Sequence, residues 1–273
     1  MKRPFPFSQV DVFCETPTLG NPLAVVHEAA DLSDEKMAQL AHWTNLSETS
    51  FLLPPQNPAA DYRVRIYTPV QELPFAGHPT LGSCHAWITN GGAPANDDIL
   101  QECGIGVIRI RQAQNRLYFQ APPLKRSGPL PTDIFTKALA GLSLTPSDVQ
   151  AAAWVDNGPG WAALLLKSHA KLMQITPDYA TLDGLRIGGV APASDTDFEV
   201  RGFSAGGFED PVTGSLNAGI AQWLIVDGHA PDTYVAAQGT VLGRKGRVHI
   251  QKDGADIWVG GAVQTCVTGT ITL

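Results

Sequence analysis

Pro79-Thr-Leu-Gly-Ser83 and Pro211-Val-Thr-Gly-Ser215 carry Pro, Gly and Ser at the same spacing after a shift of 132 residues, from 83 to 215. Their surroundings repeat with them. Each is preceded by a strand-like run that opens on Asp, Asp61-Tyr-Arg-Val-Arg-Ile-Tyr67 and Asp197-Phe-Glu-Val-Arg-Gly-Phe203. Each is followed by a helical pattern of small and apolar residues, Cys84-His-Ala-Trp-Ile88 and Leu216 to Leu224. Further on, Gly106 to Arg111 with Arg116 to Phe119, and Gly246 to Gln251 with Ala255 to Val259, alternate with period two and read as β-hairpins with one buried face. Upstream, Gly20-Asn-Pro-Leu-Ala-Val-Val26 is echoed by Gly158-Pro-Gly-Trp-Ala-Ala-Leu-Leu165, each a turn feeding an apolar strand. A unit of strand, helix, strand, motif, helix and hairpin made twice predicts an α+β protein of two pseudo-symmetric domains.

Ala121-Pro-Pro-Leu-Lys-Arg-Ser-Gly-Pro129 has the composition of a crossover between the copies rather than of a packed element. The expected domains are therefore 1–122 and 123–265, with the final strand near 266–273 able to return to the first. Helices are expected from Ser33 to Trp43, where Ser33 can cap, and from Pro131 to Leu142.

The chain has 273 residues, 44% of them hydrophobic and 16% charged, enough to bury a sizeable core and too little charge for a disordered chain. Nineteen Lys and Arg against 26 Asp and Glu leave a net charge of −7, which disfavours nucleic acid or an anionic membrane as partner. An anionic substrate would have to be bound by local dipoles. The cysteines at 14, 84, 103 and 266 form no Cys-x-x-Cys pair and read as reduced thiols. No apolar run reaches 18 residues and no signal-peptide core follows the basic start, so the cytoplasm is the default location. Gly104-Ile-Gly106 lacks the rest of a dinucleotide fingerprint and no phosphate-binding loop occurs, so no cofactor is expected. His78 and His85 lack a third ligand at metal spacing, so no metal is expected either.

Three clusters remain as candidates for chemistry: Asn45-Leu-Ser-Glu-Thr-Ser-Phe51, Leu73-Pro-Phe-Ala-Gly-His-Pro79 and Phe208-Glu-Asp-Pro-Val-Thr-Gly-Ser215. Glu48 enters the apolar run Phe51-Leu-Leu53, and a desolvated Glu can take and return a proton near neutral pH. Read alone, that cluster favours a turn capping a strand. Pro79 and Pro211 suit first helical positions, and the backbone N–H groups around them would favour an anion. Gly77, Gly82 and Gly214 permit close backbone approach, while His78, Asp210, Thr213 and Ser215 stand at the helix starts. Individually, Asp210 and Ser215 also read as ordinary caps, and His78 as a structural histidine.

In order, Gly20-Asn-Pro22, Asn45-Leu-Ser-Glu-Thr49, Thr68-Pro to Glu72-Leu-Pro-Phe-Ala-Gly-His-Pro79, Glu209-Asp-Pro-Val-Thr-Gly-Ser215 and Gln238-Gly to Gly243-Arg resemble the phenazine biosynthesis PhzF-like family over nearly the whole chain. The resemblance implies a diaminopimelate epimerase-like fold: two pseudo-symmetric α+β domains, each a curled mixed sheet around a central helix, with the active site between them. It implies a cofactor-independent isomerase in which Glu48 is the acid/base and His78, Asp210 and Ser215 its partners. Asn21, Ser47, Gly77, Thr213 and Gly214 would bind a small, cyclic, anionic substrate. A homodimer is implied as well. Related epimerases use two cysteines at the starts of their glycine-rich motifs, where this chain has Ala76-Gly77 and Glu209-Asp210. Cys84 lies past the motif, so a cysteine-assisted racemase is a lower alternative. A non-catalytic anion-binding protein is the other.

Overall fold

The computed structural model describes residues 3–273, and the chain divides into two units, Met1–Gln120 with Gly260–Leu273, and Ala121–Val259. The chain thus re-enters the first unit at Gly260, earlier than the expected 266. Among the described residues no helix is long and apolar enough to cross a membrane.

In the first unit, β1 (Pro4–Val12) pairs antiparallel with β2 (Asn21–Val26), which runs parallel to β3 (Thr49–Leu53). Next comes β4 (Tyr62–Tyr67), antiparallel to β3 and to the two-residue β5 (Glu72–Leu73). The parallel β6 (Ile99–Cys103) follows, and then the antiparallel β7 (Gly106–Ala113) and β8 (Arg116–Gln120). Helix α1 (Asp34–Thr44) starts where expected, because the Ser33 hydroxyl accepts the Lys36 N–H and completes an otherwise open first turn. Helix α2 (Gly77–Thr89) is buried and touches β1, β2, β3, β4, β6 and β8, so the mixed sheet curls around it.

The second unit repeats this scheme. It starts with β9 (Arg126–Pro129) and α3 (Thr132–Gly141), followed by β10 (Val149–Asp156) and β11 (Trp161–Leu166). Two short helices, α4 (His169–Met173) and α5 (Tyr179–Leu182), lead to β12 (Arg186–Pro192), β13 (Phe198–Phe203) and β14 (Glu209–Asp210). The buried α6 (Gly214–Val226) precedes β15 (Thr233–Gln238), β16 (Gly246–Asp253) and β17 (Asp256–Gly261). Pairings alternate as before: β10 with β11 antiparallel, β11 with β12 parallel, β12 with β13 antiparallel, β13 with β15 parallel, β15 with β16 antiparallel. The last strand, β18 (Val263–Thr272), adds antiparallel to β1, as β9 adds to β10. This is an α+β fold of two like units, each a mixed sheet with a buried central helix.

Three readings are corrected. Residues 126–129 of the expected crossover form β9, because the outer edge of β10 offers unpaired backbone groups that an extended segment satisfies. The prolines do not open the helices: Pro79 is the third residue of α2, and Pro211 precedes α6. The helices align by their starts, Gly77 with Gly214, which is a shift of 137 rather than 132. The Gly-Ser match that suggested 132 pairs the second turn of one helix with the first turn of the other. Under the shift of 137 Gly82 and Gly219 become counterparts, 137 residues apart. Gly82 lies against Leu23 and Val12, and Gly219 against the Val155 backbone, each letting its helix sit close on the neighbouring strands.

Candidate active site

In both units the loop leading into the central helix is anchored by one ion pair. Arg65 on β4 grips Glu72 on β5 through two hydrogen bonds of 2.7 Å, and Arg201 on β13 grips Glu209 on β14 through bonds of 2.9 and 2.7 Å. Two parallel bonds fix direction as well as distance. The second pair is buried, and Arg201 is further satisfied by the carbonyls of Leu172 and Ile175. The chain then leaves the short strand and enters α2 or α6 at a set angle.

A buried glutamine holds each helix start. Gln101 donates to the Thr80 hydroxyl, which donates to the carbonyl of Ala76, the residue before α2. Gln238 accepts from Asn217 Nδ2, whose amide also donates to the Thr213 carbonyl before α6. Gln238 also accepts the Thr213 N–H and donates to Thr213 Oγ1 and the Asp210 carbonyl. These glutamines are 137 residues apart, as are Thr80 and Asn217. Neither N-terminus has a side-chain cap. The Thr213 hydroxyl donates to Asp210 Oδ2 at 2.7 Å instead, so the first-turn N–H groups of α6 are left without a cap from their own N-cap residue.

In the first unit, Glu48 lies between α1 and β3 with its side chain 15% exposed, and its Oε2 is 3.3 Å from Nδ1 of His78. His78 is the second residue of α2 and is buried. Burial pushes its imidazole down to about 3, and a hydrogen bond to the Pro22 backbone only partly opposes this. The contact is therefore one between a carboxyl group and a neutral imidazole rather than a salt bridge. Asn21, buried at the start of β2, places Nδ2 3.5 Å from the same Nδ1. Ser47 precedes Glu48 and is partly buried, and Gly77 is the first residue of α2. Neutral imidazole donates at Nδ1 to an ionised Glu48 in one tautomer and accepts there from a protonated Glu48 in the other.

In the second unit, Asp210 ends β14, Thr213 is the N-cap of α6, and Gly214 and Ser215 are its first two residues. Under the shift of 137 Ser215 is the counterpart of His78. The nine expected residues thus fall into two groups, Asn21, Ser47, Glu48, Gly77 and His78 in one unit and Asp210, Thr213, Gly214 and Ser215 in the other. The two glutamines were not anticipated as site residues. Gln238 opens the Gln238-Gly to Gly243-Arg motif, and Gln101 is signalled only by being polar on the inward face of an alternating strand. Cys84 is fully buried in α2, and burial pushes its thiol up to about 12. His85 bonds Thr265 Oγ1 at 2.8 Å.

Residues 10–269 match the family described as phenazine biosynthesis-like protein, PhzC-PhzF. The chain is 34% identical over 257 residues to trans-2,3-dihydro-3-hydroxyanthranilate isomerase of Pseudomonas aeruginosa, with 90% of each chain covered. It is 32% identical over 287 residues to antisense-enhancing sequence 1 of Schizosaccharomyces pombe, covering 96% of this chain and 97% of that one. Among solved structures, the phenazine biosynthesis protein of the PhzF family from Enterococcus faecalis superposes with a TM-score of 0.81 at 25% identity, over 99% of this chain and 100% of that one. Sequence and fold agree over nearly the full length, and the chain belongs to the phenazine biosynthesis-like protein family, as a PhzF-like isomerase.

Proposed function

We propose that the chain moves a proton within a small cyclic carboxylate, with Glu48 as the acid/base. The observation that supports this best is the 3.3 Å contact between Glu48 Oε2 and Nδ1 of the neutral His78. Glu48 takes a proton from a carbon made acidic by an adjacent carboxylate or carbonyl, and then returns it to another position of the same molecule. His78 stays neutral throughout and positions the carboxyl through its contact at Nδ1. The uncapped first turn of α2, in the same unit as Glu48, offers backbone N–H groups to the negative charge that develops, and the start of α6, within its own unit, offers an equivalent place for an anionic oxygen of a substrate. The Pseudomonas aeruginosa relative is named for trans-2,3-dihydro-3-hydroxyanthranilate, a cyclic carboxylate with a hydroxyl and an amine, and a substrate of that class fits this reading.

A thiol mechanism fares worse, because a racemase cysteine must be deprotonated and burial keeps Cys84 a neutral thiol. The test is deuterium uptake from heavy water into trans-2,3-dihydro-3-hydroxyanthranilate and related cyclic hydroxy acids, with Glu48→Gln as the control. Uptake that survives in Glu48→Gln sinks the proposal.

A further inference from the structure

Ser215 is held by Asn157, in the turn between β10 and β11, and by Trp161, the first residue of β11. Asp156 Oδ1 accepts the N–H groups of Gly158 and Gly160, both at 2.7 Å, and so closes this turn. The closed turn presents Asn157 and Trp161, both buried, to the start of α6. Asn157 Nδ2 donates to the Ser215 carbonyl at 2.8 Å, and Trp161 Nε1 donates to the Ser215 hydroxyl oxygen at 3.2 Å.

The second bond has a direction that chemistry dictates. An indole N–H can only donate, so the Ser215 oxygen is the acceptor and its own proton must go elsewhere. No hydrogen bond from that hydroxyl is found among the described residues, although Ser215 is buried. The other end of Asn157 is in a matching state: its Oδ1 is buried without a partner, and its orientation is set by the bond from Nδ2. A donor without an acceptor and an acceptor without a donor thus stand on neighbouring groups at a helix N-terminus. Leaving both unmet has a cost that a ligand carrying the complementary pair would remove.

We propose that Trp161 is a positioning residue that makes Ser215 a dedicated hydrogen-bond donor to an anionic oxygen of the substrate, beside an Asn157 acceptor for the substrate's hydroxyl or amine. This rests on the reading that the start of α6 receives the substrate. Trp161 does not touch the reacting atoms; it acts by occupying the Ser215 lone pair that would otherwise let the hydroxyl turn away.

The test is a double-mutant cycle in the full chain, with 3-hydroxyanthranilate as the probe and its dissociation constant read by titration. Trp161→Phe keeps the ring and removes only the N–H, and binding should weaken about five- to tenfold, the effect of one hydrogen bond. Ser215→Ala should weaken binding at least as much. Trp161→Phe added to Ser215→Ala should then change it by less than about twofold, because the two act through one hydroxyl. A second readout needs no Trp161 variant: in Ser215→Ala the Trp161 indole N–H resonance should shift while the rest of the spectrum stays native. Fully multiplicative losses, an unmoved indole resonance, or equal binding by parent and both single variants, none at all included, overturns the assignment. Deuterium exchange separates the two proposals. If Glu48→Gln still exchanges while the cycle shows coupling, only the proton-transfer reading falls; if exchange is lost and the cycle is multiplicative, only the role of Trp161 falls.

Discussion

Gly82 and Gly219 occupy the same turn of the two central helices, yet what lies against them differs in kind. A Cβ on Gly82 would come 2.5 Å from Leu23 Cδ2, the far end of a flexible side chain, whereas one on Gly219 would come 2.1 Å from the carbonyl oxygen of Val155. A side chain can rotate away; the backbone of a central strand cannot. Gly219→Ala should therefore destabilise by roughly 3 kcal/mol or more. Gly82→Ala should cost no more than about 2 kcal/mol, since alanine's better helix propensity offsets part of the clash. Urea unfolding of both variants checks the order, and equal losses would contradict the difference in packing.

The glutamine anchors allow a second comparison. Gln238→Leu deprives the buried Thr213 N–H and the Asn217 amide of their acceptor, together with two further bonds. Gln101→Leu costs the bonds to Thr80 and to the Tyr62 hydroxyl. Each stranded buried group costs about 1 to 3 kcal/mol. Gln238→Leu should thus be the more damaging, measurable as a lower midpoint in denaturant at unchanged slope.

His78 gives stability a pH dependence of definite sign. Its folded value of about 3 lies below the ordinary 6.5, so the unfolded chain binds the proton more tightly. The associated stability is fully present above about pH 6.5 and is lost as pH falls from there toward 3. Between pH 7 and pH 4 the loss is on the order of 3 kcal/mol for this one group. Unfolding free energies of the parent and of His78→Gln at the two pH values should differ in their slopes by that amount. Parallel slopes would show that the imidazole titrates normally.

Glu48→Gln keeps the shape of the side chain and removes its basicity. It should fold, still bind a small carboxylate, and lose proton exchange by roughly two to four orders of magnitude. Cys84→Ala should exchange at close to the parent rate, because a buried thiol held near 12 is no base at neutral pH. The opposite pattern, an inert Cys84→Ala and an active Glu48→Gln, would hand the reaction to the thiol.

Much of the architecture is local information and could be read from the chain alone. The alternation of Tyr62 to Tyr67 and of Phe198 to Phe203 needs only the period of a strand, and the Ser33 cap only the chemistry of a helix start. The family motifs around Glu48, His78 and Ser215 are likewise contiguous stretches. Tertiary structure decided what depends on partners far apart in sequence. The alignment of Gly77 with Gly214 emerged from strand pairings and helix starts, because a recurring Gly-Ser dipeptide carries no information about where it lies along a helix. Pairing of β18 with β1 and of β9 with β10 depends on which strand edges are left open, a property of the assembled sheet. Gln101, Gln238, Asn157 and Trp161 acquire meaning only from the atoms they bond. A buried polar side chain is defined by its partner, and these partners lie between 21 and 58 residues away along the chain.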